Sequence, residues 1–195
     1  GRRVRNGIAA SPSGPVTAPS VVGSPGAPGS STRALSALSR IASAPLVCAR
    51  DLLRQVAFAF LTCNGDAHAK NFSIRQAPDG EWEATPAYDL PSSYPYGDQT
   101  MALRVHGKDR EDIGKADFLA LGASLGLPAR AVLRVLEQLA DAAPRWMEHL
   151  DDLPFGARRV HKLRRAISFR RDRLAASRPD SVPARGVRGP GRTTR

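Results

Sequence analysis

The chain has 195 residues, a formal net charge of +11 and 42% hydrophobic residues. That length suits one domain with tails, and no apolar run approaches the roughly 20 residues that a membrane-spanning helix needs. Two cysteines exclude a disulfide framework, and four histidines show no zinc-site spacing, so a reducing cytoplasm is the expected setting.

The charge is uneven. Lys, Arg, Asp and Glu sum to +6 over residues 1–50, to −6 over 51–152 and to +11 over 153–195. The basic excess belongs to the ends, where it reflects either nucleic-acid affinity or simple solvation.

Residues 1–44 read as a disordered segment. From Ser11 to Ser31, 15 of 21 residues are Pro, Gly or Ser, too few apolar groups to offset the entropy of ordering. At its end Leu35, Leu38 and Ile41 recur at helical spacing behind Thr32, an N-cap candidate, and suggest a weak helix over 32–44. Pro45 to Cys63 is the first strong helix. It has Pro at its start, an apolar stripe of Leu52, Leu53, Val56, Phe60 and Leu61, and Gly65 to stop it. Cys48 and Cys63 read as small buried hydrophobes.

A polar loop follows, Asn64-Gly65-Asp66-Ala67-His68-Ala69-Lys70-Asn71. Residues 72–75 and 81–84 alternate as strands around the turn Pro78-Asp79-Gly80. Trp82 and Tyr88 read as packing residues of this hairpin and the turn after it. Met101 to Val105 suggests a short strand. Helices are expected over 115–122, over 128–143, over 145–150 after Pro144, and over about 154–176 with a dense Arg/Lys face. Trp146 reads as core. Residues 178–195 form a basic tail. The domain reading is therefore 1–44 disordered, 45–177 folded and 178–195 disordered.

The chemistry concentrates in the polar loop and in Tyr88-Asp89-Leu90. A cluster of charges and amides between apolar elements is costly unless hydrogen bonds or ligands satisfy it. Asp66 and Asn71 have the spacing found in protein-kinase catalytic loops, where the Asp takes the proton of the acceptor hydroxyl and the Asn holds a metal. Asp89, just beyond the hairpin, is placed to supply a second metal-binding carboxylate. Oxygen donors of this kind suit magnesium. Lys70 is a candidate to neutralise phosphate or orient Asp66, and His68 a candidate to brace the loop.

Asn64-x-Asp66-x-His68-x-Lys70-Asn71-Phe72, a hairpin, then Pro86-x-Tyr88-Asp89-Leu90 together resemble the HipA family of serine/threonine kinase toxins from toxin–antitoxin pairs. The resemblance runs from about Leu46 to Ala176. It implies a mainly α (α+β) fold, a protein-kinase-like C-terminal lobe with a β-hairpin beside the catalytic loop. It implies ATP and magnesium as cofactors, with Asp66 as catalytic base and Asn71 and Asp89 as metal ligands. His68 and Lys70 match the family signature at the same site, Lys70 facing the nucleotide as well. It also implies a protein substrate and a DNA-binding antitoxin partner, with DNA contact direct only through the tails, and no membrane.

Family members carry an N-terminal lobe before this region. Here Lys70 is the first lysine, and Gly23-x-x-Gly26-x-x-Gly29 has no flanking strands to make it a nucleotide loop. The expectation is a truncated form lacking the ATP-binding lobe, weak or inactive alone. The competing readings are a non-catalytic remnant that binds an antitoxin or DNA, and a small-molecule phosphotransferase.

Overall fold

A computed structural model of the chain describes residues 16–17 and 30–175. The tail at 178–195 and most of the N-terminal Pro/Gly/Ser stretch lie outside the described residues. In order, the elements are β1 (Val16–Thr17), α1 (Ser30–Ile41), α2 (Pro45–Leu61), β2 (Ser73–Gln76), β3 (Trp82–Ala84), α3 (Lys115–Ser124), α4 (Ala129–Met147) and α5 (Ala157–Ala175). The fold is mainly helical with one small antiparallel sheet, ordered β1-β2-β3.

Helix α2 is the centre. Leu52, Leu53, Val56, Ala57, Phe60 and Leu61 are fully buried, and α1, α3, α4 and α5 all pack against it or its neighbours. Apolar residues nearly all round a helix require such enclosure. Each buried Leu or Phe side chain contributes about 1.5–3 kcal/mol. Val132, Val135 and Leu136 of α4, and Val160, Leu163, Ile167 and Leu174 of α5, close the core from the far side. Gly122 is required where α3 meets α4, because a Cβ there would collide with the Val132 side chain.

The sheet is held by local chemistry. Ile74 pairs with Ala84, Arg75 with Glu83 and Gln76 with Trp82; the Arg75–Glu83 ion pair spans 3.0 Å on the exposed face. Asp79 Oδ1 accepts the Glu81 N–H and Gly80 takes φ +90°, as the turn signal predicts. On the other edge Val16 pairs with Ile74 and Thr17 with Ser73.

Several expectations need correction. The segment 1–44 is not disordered throughout. Helix α1 runs from Ser30, two residues before the expected cap, and buries Leu35 and Leu38 completely against α2. Ile41, the third residue of that stripe, stays exposed. Two apolar contacts onto an already apolar helix outweigh the poor intrinsic propensity of the Ser-rich sequence. Met101 to Val105 is not a strand: Met101, Leu103 and Val105 are buried, but only Val105 pairs, in an isolated bridge to Lys108. Helix α4 does not break at Pro144 but continues to Met147, where a short 3-10 turn, Glu148–Asp152, takes over. Trp146 is half-buried against the core rather than within it.

Candidate active site

Helix α2 ends at Leu61, and the chain reverses through Cys63 at φ +58°. The left-handed residue is thus Cys63 and not Gly65. Gly65 serves a different need. Its N–H donates to Ser93 Oγ at 2.8 Å, its carbonyl accepts the Ala102 N–H at 3.0 Å, and a Cβ there would strike Ser93 Oγ and the Asp98 carboxylate. The loop passes so close to the 93–102 segment that only glycine fits.

Asn64 organises both halves of the site. It is buried, its Oδ1 accepts the Asp66 N–H at 3.0 Å, and its Nδ2 donates to the Asp89 carbonyl at 3.2 Å. The first bond makes a side-chain-closed turn that pushes Asp66 outward. The second reaches across to the residue that follows the hairpin. Asp66 is exposed, with His68 Nε2 2.7 Å from its Oδ1. Among the described residues nothing engages Asp66 Oδ2. A carboxylate steadied on one oxygen and open on the other can receive a proton from an approaching hydroxyl.

From His68 the chain enters a 3-10 turn, Ala69–Asn71, that directs Asn71 inward. Asn71 Nδ2 donates to the Asp89 carboxylate. Its Oδ1 is buried and has no hydrogen-bond partner. Asp89 sits at φ +54°, a conformation costing about 1–3 kcal/mol that persists where surroundings enforce it. Here the enforcing groups are Asn64 on its carbonyl and Asn71 on its carboxylate. The structure therefore brings Asn71 and Asp89 together, and Asp66 and His68 together, with Asn64 joining the two pairs. Lys70 lies on the same turn, exposed, and no side-chain partner engages it among the described residues.

The sequence reading missed the bracing residues. The Tyr88 hydroxyl donates to the Lys70 carbonyl at 2.8 Å. With that proton committed, Ser73 Oγ donates to Tyr88 Oη at 3.2 Å, and Thr85 Oγ1 lies 3.0 Å beyond Ser73. Three hydroxyls thus tie the hairpin base to the loop. The other omission is Arg170 of α5, which is buried and donates to the Phe60 carbonyl at 2.8 Å and to the Gln99 carbonyl at 3.2 Å. Its guanidinium also lies over the Phe60 ring, 4.9 Å from the centroid. A cation at the end of α2 offsets the helix's negative pole. No spacing in the sequence marks these long-range partners. Only the Tyr88 position, next to Asp89, carried a usable signal.

A helical lobe whose apolar central helix feeds a polar loop, with a hairpin returning a carboxylate beside it, defines a C-terminal lobe of the protein-kinase-like type. Known proteins place it more closely. The HipA-like C-terminal domain matches residues 20–147, and the chain belongs to that family. Over 103 residues it is 35% identical to the serine/threonine-protein kinase toxin HipA of Shewanella oneidensis, a match covering 51% of this chain and 24% of the relative. Over 142 residues it is 31% identical to the putative kinase Y4mE of Sinorhizobium fredii, covering 68% and 33%. It resembles a solved structure of the Shewanella oneidensis toxin–antitoxin system, HipA and HipB with operator DNA, at TM-score 0.61 and 29% identity, over 73% of this chain and 35% of that one. The matched region is thus about a third or less of each relative's length. The family match begins at residue 20, well before Leu46, which agrees with α1 being part of the fold.

Proposed function

We propose that this chain carries the catalytic loop of a HipA-like serine/threonine protein kinase, the toxin of a type II toxin–antitoxin pair. The reaction is transfer of the ATP γ-phosphoryl group to a Ser or Thr hydroxyl. Asp66 takes the hydroxyl proton on its open oxygen, while His68 holds the other. Asn71 and Asp89 would hold magnesium. One buried amide oxygen without a partner, beside a carboxylate, is the hard-oxygen set that this ion accepts, and magnesium would supply charge neutralisation on the phosphates. Lys70, on the same turn and without a side-chain partner among the described residues, is assigned to phosphate. The contact between Asn71 and Asp89 carries the reading, because it joins two motifs 18 residues apart in sequence.

The test is transfer of labelled phosphate from magnesium-ATP to a panel of protein substrates. Removing a general base typically costs about 10²–10⁴-fold, so Asp66→Asn should lose nearly all transfer while its thermal melt stays unchanged. Transfer at an undiminished rate in Asp66→Asn sinks the assignment.

The same reading places the protein in the cytoplasm with a DNA-binding antitoxin as partner. The supporting observations are two unpaired buried cysteines and the resemblance to a structure that contains HipB and operator DNA. Among the described residues no helix is long and apolar enough to cross a membrane.

A further inference from the structure

The segment after Asp89 does not simply return to the core. Tyr94, Pro95, Gly97 and Gln99 form one wall of an open groove of about 590 Å³ whose other wall is α5. Arg159, Lys162 and Arg165 line it, with Glu111 its one acidic group. Four other arginines of α5 are tied to the protein, Arg170 at the groove itself, while Arg158, outside the groove, is exposed and has no partner among the described residues. Arg164 bonds Asp151 and the Met147 carbonyl, Arg171 pairs with Asp172, Arg170 bonds Phe60 and Gln99, and Arg173 bonds the Ile113 carbonyl. The three that face the groove are exposed and have no partner among the described residues.

This groove is built onto the candidate catalytic loop. Ser93, one residue before the wall begins, accepts the Gly65 N–H and donates its own N–H to the Cys63 carbonyl. Arg170 fixes Gln99 at the far end of the same wall. The near end of the wall therefore lies against the loop that carries Asp66. The Tyr96 and Gly97 N–H groups and the Tyr94 and Gln99 carbonyls are already engaged, and the groove offers an occupant mainly charge, together with the half-exposed Phe169 ring.

We propose that the groove between α5 and residues 94–99 docks an acidic stretch of the protein substrate flanking the phosphorylated Ser or Thr. Three exposed cations against one carboxylate, Glu111, in a concave surface favour a run of Asp or Glu over a neutral segment. A peptide is favoured over nucleic acid because the groove is short and its 94–99 wall starts at Ser93, which is hydrogen-bonded to the loop that carries Asp66. The proposal rests on the kinase reading for the identity of the substrate, and binding tests it independently.

The measurement is fluorescence anisotropy of the full chain at about 0.15 M salt, where exposed charges beyond about 8 Å are screened. The probes are a labelled Ser peptide flanked by glutamates, the same peptide with glutamines, and a DNA duplex. Lys162→Glu/Arg165→Glu should weaken the acidic peptide by about tenfold or more. Arg130→Glu/Arg134→Glu, a matched reversal on exposed positions of α4, should leave it unchanged, and thermal melts of both variants should match the wild type. Equal losses in the two variants, equal affinity for the glutamine peptide, no peptide binding, or tighter groove-dependent binding of the duplex each overturn the proposal. Asp66→Asn should bind the acidic peptide normally. Groove-dependent binding without Asp66-dependent transfer rejects the kinase reading alone; transfer whose KM ignores Lys162→Glu/Arg165→Glu rejects the docking alone.

Discussion

Asn71 gives its side-chain amide to the carboxylate of Asp89, and the Asn71 oxygen is left buried with nothing to accept. An orphaned buried acceptor costs about 1–3 kcal/mol, so its presence here calls for a physical reason. Asp89 adds a left-handed backbone at the same point. Two local costs thus stand side by side, held in place by Asn64.

The pair should respond to metal as a unit. Manganese, a paramagnetic stand-in for magnesium, should broaden the amide NMR signals of residues 66–71 and 89. Asp89→Ala should remove that broadening while costing about 1–3 kcal/mol in stability, since it leaves the buried Asn71 amide without its acceptor and puts Ala at φ +54°. Broadening retained in Asp89→Ala would place the ion elsewhere.

Arg170 should matter to stability more than any other cation of α5. It is 2% exposed, bonds two carbonyls and stacks on Phe60. Arg170→Met should lower the unfolding free energy by about 2–3 kcal/mol, the range for hydrogen bonds to a charged group. Lysine should recover only part of this, because an ammonium cannot bridge two carbonyls and lie flat on a ring. Urea denaturation of both variants decides it, and a loss under about 0.5 kcal/mol, typical of surface substitutions, contradicts the assigned role.

Asp117 links stability to pH. Burial opposes its ionisation, but the Lys108 ammonium, the Gly114 N–H and His106 outweigh that and hold its pKa below the ordinary 3.8. Lys108 Nζ lies 3.0 Å away and His106 Nδ1 3.3 Å. A depressed folded-state pKa means that the unfolded chain takes up the proton first as acid is added. The stabilisation is therefore present above about pH 4 and is lost as pH falls through the lower, folded-state value. Asp117→Asn should lower stability at pH 7 and flatten the acid limb of a stability–pH curve. An acid limb unchanged in Asp117→Asn would count against it.

The two thiols should be silent in the native protein. Burial pushes both Cys48 and Cys63 up to about 11, with Asp51 adding to the rise at Cys48 and Arg170 opposing it at Cys63. A disulfide reagent at about pH 8 needs thiolate and access. Neither thiol should react until denaturant is added, when both should. Rapid native reaction of one thiol would mean that the α2 core opens locally.

Much of the lobe was legible because local patterns spoke for themselves. The apolar stripe of α2, the Pro-Asp-Gly turn and the amphipathic faces of α4 and α5 each depend on residues within a few turns of one another. The acidic and amide residues of the loop stood out for the same reason. The spacing of Leu35, Leu38 and Ile41 suggests helix α1, but its Ser-rich sequence has weak propensity, so that the segment reads as disordered; the burial of Leu35 and Leu38 against α2 is not legible in propensity. The Met101–Val105 alternation misled because its buried residues pack against the core without a partner strand.

By itself, the sequence singled out the candidate site residues Asp66, His68, Lys70, Asn71 and Asp89, by type, order and spacing. Tertiary structure decided how they stand to one another. It joined Asn71 to Asp89, set Asn64 between the two halves, braced the loop with Tyr88 and Ser73, and tied Arg170 to the Phe60 carbonyl at the end of α2, 110 residues away. The physical reason is the range of the forces: periodicity and turn preference act along a few residues of chain, whereas a buried hydrogen bond depends on which surfaces the packed core brings together.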